Sequence, residues 1–200
     1  MATNFYYVSR AWYGASIAEF LRTQAATVFG RLAGNSSFAV LPTQKDAWLT
    51  QIDLLQSCLA GLTGSLFLEF NIPRMGRRID VVLLLGPVVF VVEFKVGEKG
   101  FDRAAIDQVW DYALDLKNFH EASHTVSIVP ILVATGATES GPFSLHADAD
   151  KVYRPIQVHT AGLRDAIDRT IQSIAGDVLD GQRWLHAPYR PTPTIVEAAR

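Results

Sequence analysis

The most constraining feature of the chain is a series of three strand-like segments with very short connections. The segments are Ser65–Ile72, Arg78–Leu85 and Val88–Val96, which are rich in Val, Ile, Leu and Phe, and they are joined by Pro73–Arg77 and by Gly86-Pro87. Connections this short permit hairpins and leave no room for a crossover helix. The three segments are therefore predicted to form an antiparallel meander.

Helical patterns precede the meander. Ser16-Ile-Ala-Glu19 has the spacing of a capping box and predicts the start of a first helix. A second short helix is expected near Ala25–Leu32 and should stop at Gly34-Asn35. Apolar residues at helical spacing over Gln44–Leu62 predict a third helix that packs on the sheet.

The segments after the meander predict a further helix and a further strand. Asp102–His120 has one apolar stripe and is expected to be a long helix. Ile131–Ala134 is expected to be a strand that either begins late because of Pro130 or places the proline nitrogen where no strand pairs with it. Weaker patterns predict a strand at Pro155–His159 and a helix over about residues 162–179. The order helix, three strands, helix, strand indicates an α/β fold with helices flanking a mixed sheet.

Composition excludes several classes of protein. The chain has 200 residues, of which 49% are hydrophobic and 19% charged, and this balance is typical of one globular domain rather than a disordered or coiled-coil chain. The lone Cys58 cannot form an internal disulfide and the N-terminus lacks a secretory signal, so we expect a reducing cytoplasm. The longest apolar runs are far shorter than the roughly 20 residues of a membrane helix.

Charge leaves two interpretations open. A net charge of −2 does not mark the whole domain as a polyanion binder. Six cations nevertheless fall within a window of about 30 residues around the meander, which favours either a nucleic-acid contact surface or a solvated rim of arginines. They are Arg74, Arg77, Arg78, Lys95, Lys99 and Arg103.

A carboxylate and an ammonium stand at the end of the most apolar strand. Glu93 and Lys95 are two residues apart and so share one face, whereas Phe94 points to the other. If Gly86-Pro87 is a two-residue turn, the hairpin register places Asp80 opposite Glu93. Opposed acidic residues have Cβ atoms about 5 Å apart, and their carboxylates repel each other unless a cation or a proton lies between them.

The other hairpin extends this arrangement. If Pro73–Gly76 is a four-residue loop, Ile72 pairs with Arg77 and Glu69 falls opposite Asp80. One face would then show an acidic row beside a second row with basic groups, which is the layout expected for Mg²⁺ together with phosphate. The rows are Glu69, Asp80, Glu93 and Asn71, Arg78, Lys95.

These residues carry a resemblance to a known superfamily. Arg78-Ile-Asp80, Glu93-Phe-Lys95 and Gln108-Val-Trp-Asp-Tyr112 resemble the motifs of PD-(D/E)XK nucleases, particularly the RecB-like branch with its Gln-xxx-Tyr motif. From about Tyr13 to Ala199 the chain also resembles the nuclease-like region that precedes a Schlafen-type helicase domain in bacterial proteins. That resemblance rests on Ile72-Pro-Arg-Met-Gly76, Val92-Glu-Phe-Lys-Val-Gly-Glu98 and Asp107-Gln-Val-Trp-Asp-Tyr-Ala-Leu-Asp-Leu-Lys-Asn118.

The resemblance implies a restriction-endonuclease-like core and assigns roles to individual residues. Asp80 and Glu93 would bind Mg²⁺ or Mn²⁺, and Lys95 would activate water and stabilise charge in the transition state. Gln108 and Tyr112 would contact the substrate or the lysine. The additional acid that many relatives carry on the first core helix is represented here only by Asp46 or Asp53, so Glu69 is a further candidate ligand. Candidate substrate contacts are Arg74, Arg77, Arg78, Lys99 and Arg103.

The resemblance also implies a domain organisation and partners. Residues 1–187 would form a single nuclease-like domain with an N-terminal helical extension. Residues 188–200 would be a Pro-rich linker toward a covalently attached C-terminal helicase domain, with Ile195–Arg200 opening another helix. The expected substrate is nucleic acid, DNA in preference to RNA, with no membrane partner. Alternatives are a non-catalytic nucleic-acid-binding or regulatory module attached to a helicase, and an assembly scaffold.

Two other groups of residues favour plain structural roles. His120 and His124 have the spacing of a zinc pair but lack a nearby third ligand, so we expect surface histidines. Trp48, Trp110 and Trp184 are predicted to lie in a core or an interface rather than to stack on bases.

Overall fold

Six strands in sequence order form one mixed sheet in the computed structural model, which describes residues 10–36, 39–73, 76–193 and 195. The first four strands are antiparallel, whereas the last two run parallel to the fourth. The strands are β1 Ala11–Ser16, β2 Ser65–Ile72, β3 Arg77–Leu85, β4 Val88–Lys95, β5 Ser127–Ala134 and β6 Ile156–His159. The predicted α/β class with a helix-flanked mixed sheet is confirmed.

Helices cover both faces of the sheet. The helices are α1 Ile17–Arg22, α2 Ala25–Asn35, α3 Pro42–Cys58, α4 Arg103–Phe119, α5 Leu163–Ser173 and α6 Gly181–Leu185, with single 3₁₀ turns at Glu121–Ser123 and Thr160–Gly162. Buried side chains of α1, α2, α3 and α5 pack with one face of the sheet, and those of α4 and α6 pack with the other. The predicted order helix, three strands, helix, strand is present as α3, β2, β3, β4, α4 and β5.

Both hairpins have the predicted register. Leu85 pairs with Val88 across Gly86-Pro87, and Gly86 has the positive φ of +57° that this tight turn requires. Ile72 pairs with Arg77 across the other hairpin. A shift of one residue would have moved every side chain to the other face, so this agreement fixes which residues approach the candidate site.

Two strands differ from their prediction. β1 was not predicted, because its Ala and Gly residues are poor strand formers and it precedes the Ser16 helix cap directly. β5 begins at Ser127 and runs through Pro130, so the strand does not start late and the second alternative, a proline nitrogen outside the pairing, applies. Ile128 donates its N–H toward Lys151, on the side later occupied by β6. The nitrogen of Pro130 faces the same side before β6 starts to pair at Ile131, so its missing N–H costs no ladder bond.

The described C-terminal segment is bound to the end of α4. Arg190 donates its N–H to the Phe119 carbonyl at 2.6 Å, and Thr192 donates to the Asn118 carbonyl at 2.8 Å. This proline-containing stretch is therefore anchored to the domain by backbone hydrogen bonds. The helix expected over Ile195–Arg200 lies outside the described residues, apart from Ile195.

The expectation of a surface position for His120 was wrong. Its side chain is fully buried, with Nδ1 2.8 Å from the Ser123 hydroxyl, which also accepts the indole N–H of Trp184 at 3.0 Å. The burial of Trp48 and Trp184 confirms their core assignment, and Trp110 is half-buried. Every helix in the described ranges is too short or too polar to cross a bilayer.

Candidate active site

The site is built where the ladder between β3 and β4 ends. Paired residues extend as far as Val81 and Val92. Asp80 directly precedes Val81 in β3, and its carboxylate accepts the backbone N–H of Phe94 through Oδ2 at 2.9 Å. A side chain thus takes the place of the next backbone acceptor, which pins Asp80 against the strand that carries Glu93.

Glu93, Lys95, Gln108 and Tyr112 form one hydrogen-bonded network, as their sequence motifs imply. Lys95 Nζ donates to Glu93 Oε1 at 3.0 Å and to Gln108 Oε1 at 3.1 Å. The Gln108 amide nitrogen donates to Glu93 Oε1 at 3.0 Å and to the Tyr112 hydroxyl at 2.7 Å. Because Gln108 and Tyr112 are one turn apart on α4, the helix holds the ammonium in a fixed position over β4.

The two oxygens of the Glu93 carboxylate differ in their hydrogen bonding to the described residues. Its Oε2 atom is buried and receives no hydrogen bond from the described part of the chain, although Oε1 receives two. The residue is only 5% exposed, so water cannot compensate freely. A buried carboxylate oxygen without a donor is costly unless a cation or a proton occupies its lone pair.

The electrostatics of the two carboxyls agree with this arrangement. Burial raises the pKa of Asp80 well above its ordinary value, and the neighbouring Glu93 carboxylate raises it further. Burial also raises the pKa of Glu93, while the Lys95 ammonium opposes that rise. The negative charge on each carboxyl is therefore energetically unfavourable, and a bound cation would reduce that cost.

Glu69 is positioned differently from its prediction. Its φ is +52°, and it is skipped in the pairing of β2 with both neighbours. Leu68 packs on the α3 side of the sheet and Phe70 on the α4 side, although residues two apart normally share a face. The left-handed conformation of Glu69 moves the side chains that follow it in β2 to the opposite face of the sheet. The predicted regular row of Glu69, Asp80 and Glu93 is therefore interrupted at Glu69.

The Glu69 carboxylate is hydrogen-bonded through both oxygens. The Trp48 indole donates to Oε1 at 2.7 Å, and the Arg78 Nε donates to Oε2 at 2.7 Å. Glu69 still lines the same cavity as Asp80 and Glu93, so its charge contributes to the site. Its carboxylate is less available than that of Glu93 to coordinate an ion directly.

A cavity of about 390 Å³ opens above these carboxylates. Its floor is formed by Glu69, Asp80 and the Glu93–Val96 end of β4, and its far wall by α3. Sequence analysis missed that wall. Gln44, Trp48 and Gln51 follow one helical stripe, but two glutamines resemble solvent-facing residues until the partner surface is known. Asp46 and Asp53 are exposed, and neither lines the cavity.

The candidate cations are distributed around the site unequally. Arg77 is close enough to Glu93 and Tyr112 for its charge to oppose the rise in pKa that burial causes in both. Arg78 pairs with Glu69. Lys99 is exposed, and Arg103 is exposed and pairs with Asp107 at 3.0 Å one turn along α4. Arg74 lies outside the described residues.

The number of possible ligands limits the kind of metal site that these residues could form. No group of three or more His, Cys, Asp or Glu side chains within the described ranges is arranged to hold a metal ion. The candidate is thus a two-carboxylate site, Asp80 and Glu93, which is a donor number that Mg²⁺ accepts when water and phosphate oxygens complete its shell.

Comparison with family models, curated proteins and solved structures found no match.

Proposed function

We propose that the chain is a metal-dependent nuclease that hydrolyses phosphodiester bonds, in DNA rather than RNA, with Asp80 and Glu93 as ligands of Mg²⁺ or Mn²⁺. The observation that carries the proposal is the buried Oε2 of Glu93, which accepts no hydrogen bond from the described residues and lies beside Asp80 at a cavity. Carboxylate oxygens are the donors that hard divalent cations prefer. The residues present therefore fit such an ion.

A bound divalent ion would supply an activated water and stabilise charge on the phosphate. The chain's own groups do the rest. Lys95 presents a fixed ammonium at the cavity, where it stabilises negative charge that develops on phosphate oxygens. Gln108 holds that ammonium from α4 and also donates to Glu93, so it sets the distance between the cationic and the acidic group.

The arrangement of elements supports a finer proposal about the fold. α3, β2, β3, β4, α4 and β5 follow the order of a restriction-endonuclease-like core, and the candidate acids lie on its second and third strands. With the PD-(D/E)XK-like motifs, this order favours that superfamily. Attachment to a C-terminal helicase domain rests on the Schlafen-type resemblance alone.

A non-catalytic nucleic-acid-binding module is the second candidate. The observation that favours it is the lack, within the described residues, of a third acidic or histidine ligand. A binding module would retain the basic residues at the cavity but would not need a metal. The two candidates differ in whether cleavage depends on Lys95.

The deciding experiment is cleavage of end-labelled single- and double-stranded DNA and RNA in Mg²⁺, in Mn²⁺ and in EDTA. Lys95→Ala should lose at least about 100-fold in rate, because it removes a preorganised positive charge at the reacting phosphate. Lys99→Ala is the matched control, since Lys99 is exposed and outside the network, and it should cleave like the parent. Equal cleavage by both variants, or cleavage in EDTA, would refute the proposal.

A further inference from the structure

Arg78 is held in place on two sides. Its Nε donates to Glu69 Oε2 at 2.7 Å, and its guanidinium lies over the Trp12 ring, 4.1 Å from the centroid. A salt bridge and a cation–π contact at these distances orient the planar group as well as attract it. The Arg78 side chain nevertheless remains 39% exposed.

The supports of Arg78 are themselves fixed. Glu69 is bound through its other oxygen by the Trp48 indole, and the Trp12 and Trp48 rings meet edge to face with centroids 5.9 Å apart. We call Trp12, Trp48, Glu69 and Arg78 the arginine clamp. Glu69 and Trp48 line the cavity of Asp80 and Glu93, so the clamp borders that cavity through these two residues.

The free part of the guanidinium is its outer edge. Only Nε is engaged with the described part of the chain, so the terminal NH1 and NH2 groups retain their capacity to donate. These two groups form the fork that matches two oxygens of a phosphate. An arginine that only neutralised Glu69 would gain little from a stacked ring beneath it.

Two other candidate substrate contacts, Arg103 and Lys99, are not fixed in this way. Arg103 is 84% exposed and pairs with Asp107 on its own helix, which is a weak and mobile arrangement. Lys99 is exposed and presents a point charge rather than a planar fork. Arg78 alone among the three combines a fixed orientation with a hydrogen bond to a residue that lines the cavity, Glu69.

We propose that Arg78, oriented by Glu69 and Trp12, binds a backbone phosphate of the nucleic-acid substrate next to the one that enters the cavity, and that Glu69 is a positioning residue rather than a metal ligand. The inference rests on the proposed function and names how that site holds its substrate. Holding a flanking phosphate in a fixed fork restricts the position of the reacting phosphate relative to Asp80 and Glu93.

The test measures binding of short fluorescein-labelled single- and double-stranded DNA by anisotropy, in EDTA and in Ca²⁺, across a salt series. Arg78→Ala should weaken binding about tenfold and lower the slope of log K against log salt by about 1, as expected for one lost phosphate contact. Arg78→Lys should recover only part of the affinity, because it retains charge but not the fork. Arg169→Ala removes an equal charge from an exposed ion pair with Asp165 on α5 and should change binding less than about twofold.

Glu69→Gln tests the orienting role. It should weaken DNA binding less than Arg78→Ala does, and it should leave the Mn²⁺ affinity, measured by calorimetry, close to that of the parent. Circular dichroism on every variant shows whether it is folded, and Arg78→Lys carries the test if Arg78→Ala does not fold.

The outcomes separate this inference from the proposed function. Parent-like DNA binding by Arg78→Ala or Arg78→Lys, or no DNA binding by the parent, would overturn the clamp even if Mn²⁺ binds and Lys95-dependent cleavage occurs. Loss of Mn²⁺ binding in Glu69→Gln would show that Glu69 is a ligand. A parent that binds DNA through Arg78 but takes up no Mn²⁺ would support the clamp and refute the nuclease.

Discussion

The Oδ2 atom of Asp80 lies 2.9 Å from the backbone nitrogen of Phe94, the residue that follows Glu93. This bond holds a carboxylate of β3 beside a carboxylate of β4 at the point where the two strands stop pairing. Burial raises the pKa of both carboxyls, and the Glu93 charge raises that of Asp80 further, so two negative charges are disfavoured there. Without a bound cation, these charges therefore destabilise the folded protein locally.

The first prediction follows from that cost. Asp80→Asn should stabilise the metal-free protein by about 1 kcal/mol at neutral pH, because it removes a buried charge at a functional site. The sign follows from the pKa: an acid whose folded-state pKa is raised loses stability as pH rises through the window above its unfolded value. Urea unfolding with and without Mn²⁺ measures the effect of the substitution and the effect of the ion on the free energy of unfolding. Mn²⁺ should stabilise the parent and leave the stability of Asp80→Asn unchanged. Stabilisation of Asp80→Asn by Mn²⁺ without stabilisation of the parent would contradict the assignment of Asp80 as a ligand.

The second prediction concerns Gln108. Gln108→Leu removes the amide that holds Lys95 Nζ and Glu93 Oε1 together, so the ammonium should lose its fixed position. We expect kcat to fall by about 10- to 100-fold, as for other losses of positioning, with little change in substrate affinity. Steady-state cleavage kinetics provide the measurement. Asp107→Ala, on the adjacent exposed position of α4, is the control and should retain parent kinetics.

The third prediction tests whether the Tyr112 hydroxyl acts on the substrate or only supports Gln108. Its hydroxyl accepts a hydrogen bond from the Gln108 amide, and its ring is buried in the α4 layer. Tyr112→Phe keeps the ring and removes one acceptor, which should cost about fivefold in rate, corresponding to one modest hydrogen bond. A loss as large as that of Lys95→Ala would instead mean that the phenol acts on the substrate directly.

The fourth prediction is a pH dependence of stability that originates far from the site. Burial lowers the pKa of His120 to about 3, and the charge of Arg10 lowers it in the same direction. The unfolded chain takes up a proton at His120 near its ordinary pKa of about 6.5, whereas the folded protein does not, so stability falls as pH drops below that value. Between about pH 7 and pH 5 the loss should be about 2 kcal/mol.

Urea unfolding across that pH range checks this. His120→Phe should be less stable than the parent at pH 7, because the Ser123 hydroxyl loses a partner, but its stability should decline less steeply with acid. His124→Gln should keep the parent slope. Equal slopes for the parent and His120→Phe would show that His120 accepts a proton without unfolding.

Sequence analysis predicted the site to the extent that it depends on local geometry. The two hairpin registers follow from loop length and glycine conformation, and they bring Asp80 to Glu93 without any tertiary information. The contact of Gln108 with Lys95 is one of the two roles that the resemblance implied for Gln108, the other being contact with the substrate. Lengths of helices and strands followed from apolar periodicity, with errors mainly at their ends.

Three features could not be predicted from local sequence geometry. They are the cavity wall opposite the acidic residues, the conformation of Glu69 and the burial of His120. Gln44 and Gln51 become cavity residues only because α3 lies beside Glu69 and Asp80, which come from two distant strands. Glu69 adopts a left-handed conformation that a glutamate rarely takes, and contacts from two other elements, Trp48 on α3 and Arg78 on β3, accompany it.

The sequence by itself determined the order of elements, the pairing of the meander and the approach of Asp80, Glu93 and Lys95, because turn geometry and side-chain alternation act over a few residues. The tertiary structure alone decided which helix faces the acids, which arginine is held rigid and which carboxylate oxygen is left without a donor. Those features depend on packing between segments distant in sequence, where a small difference in orientation decides whether a polar group finds a partner.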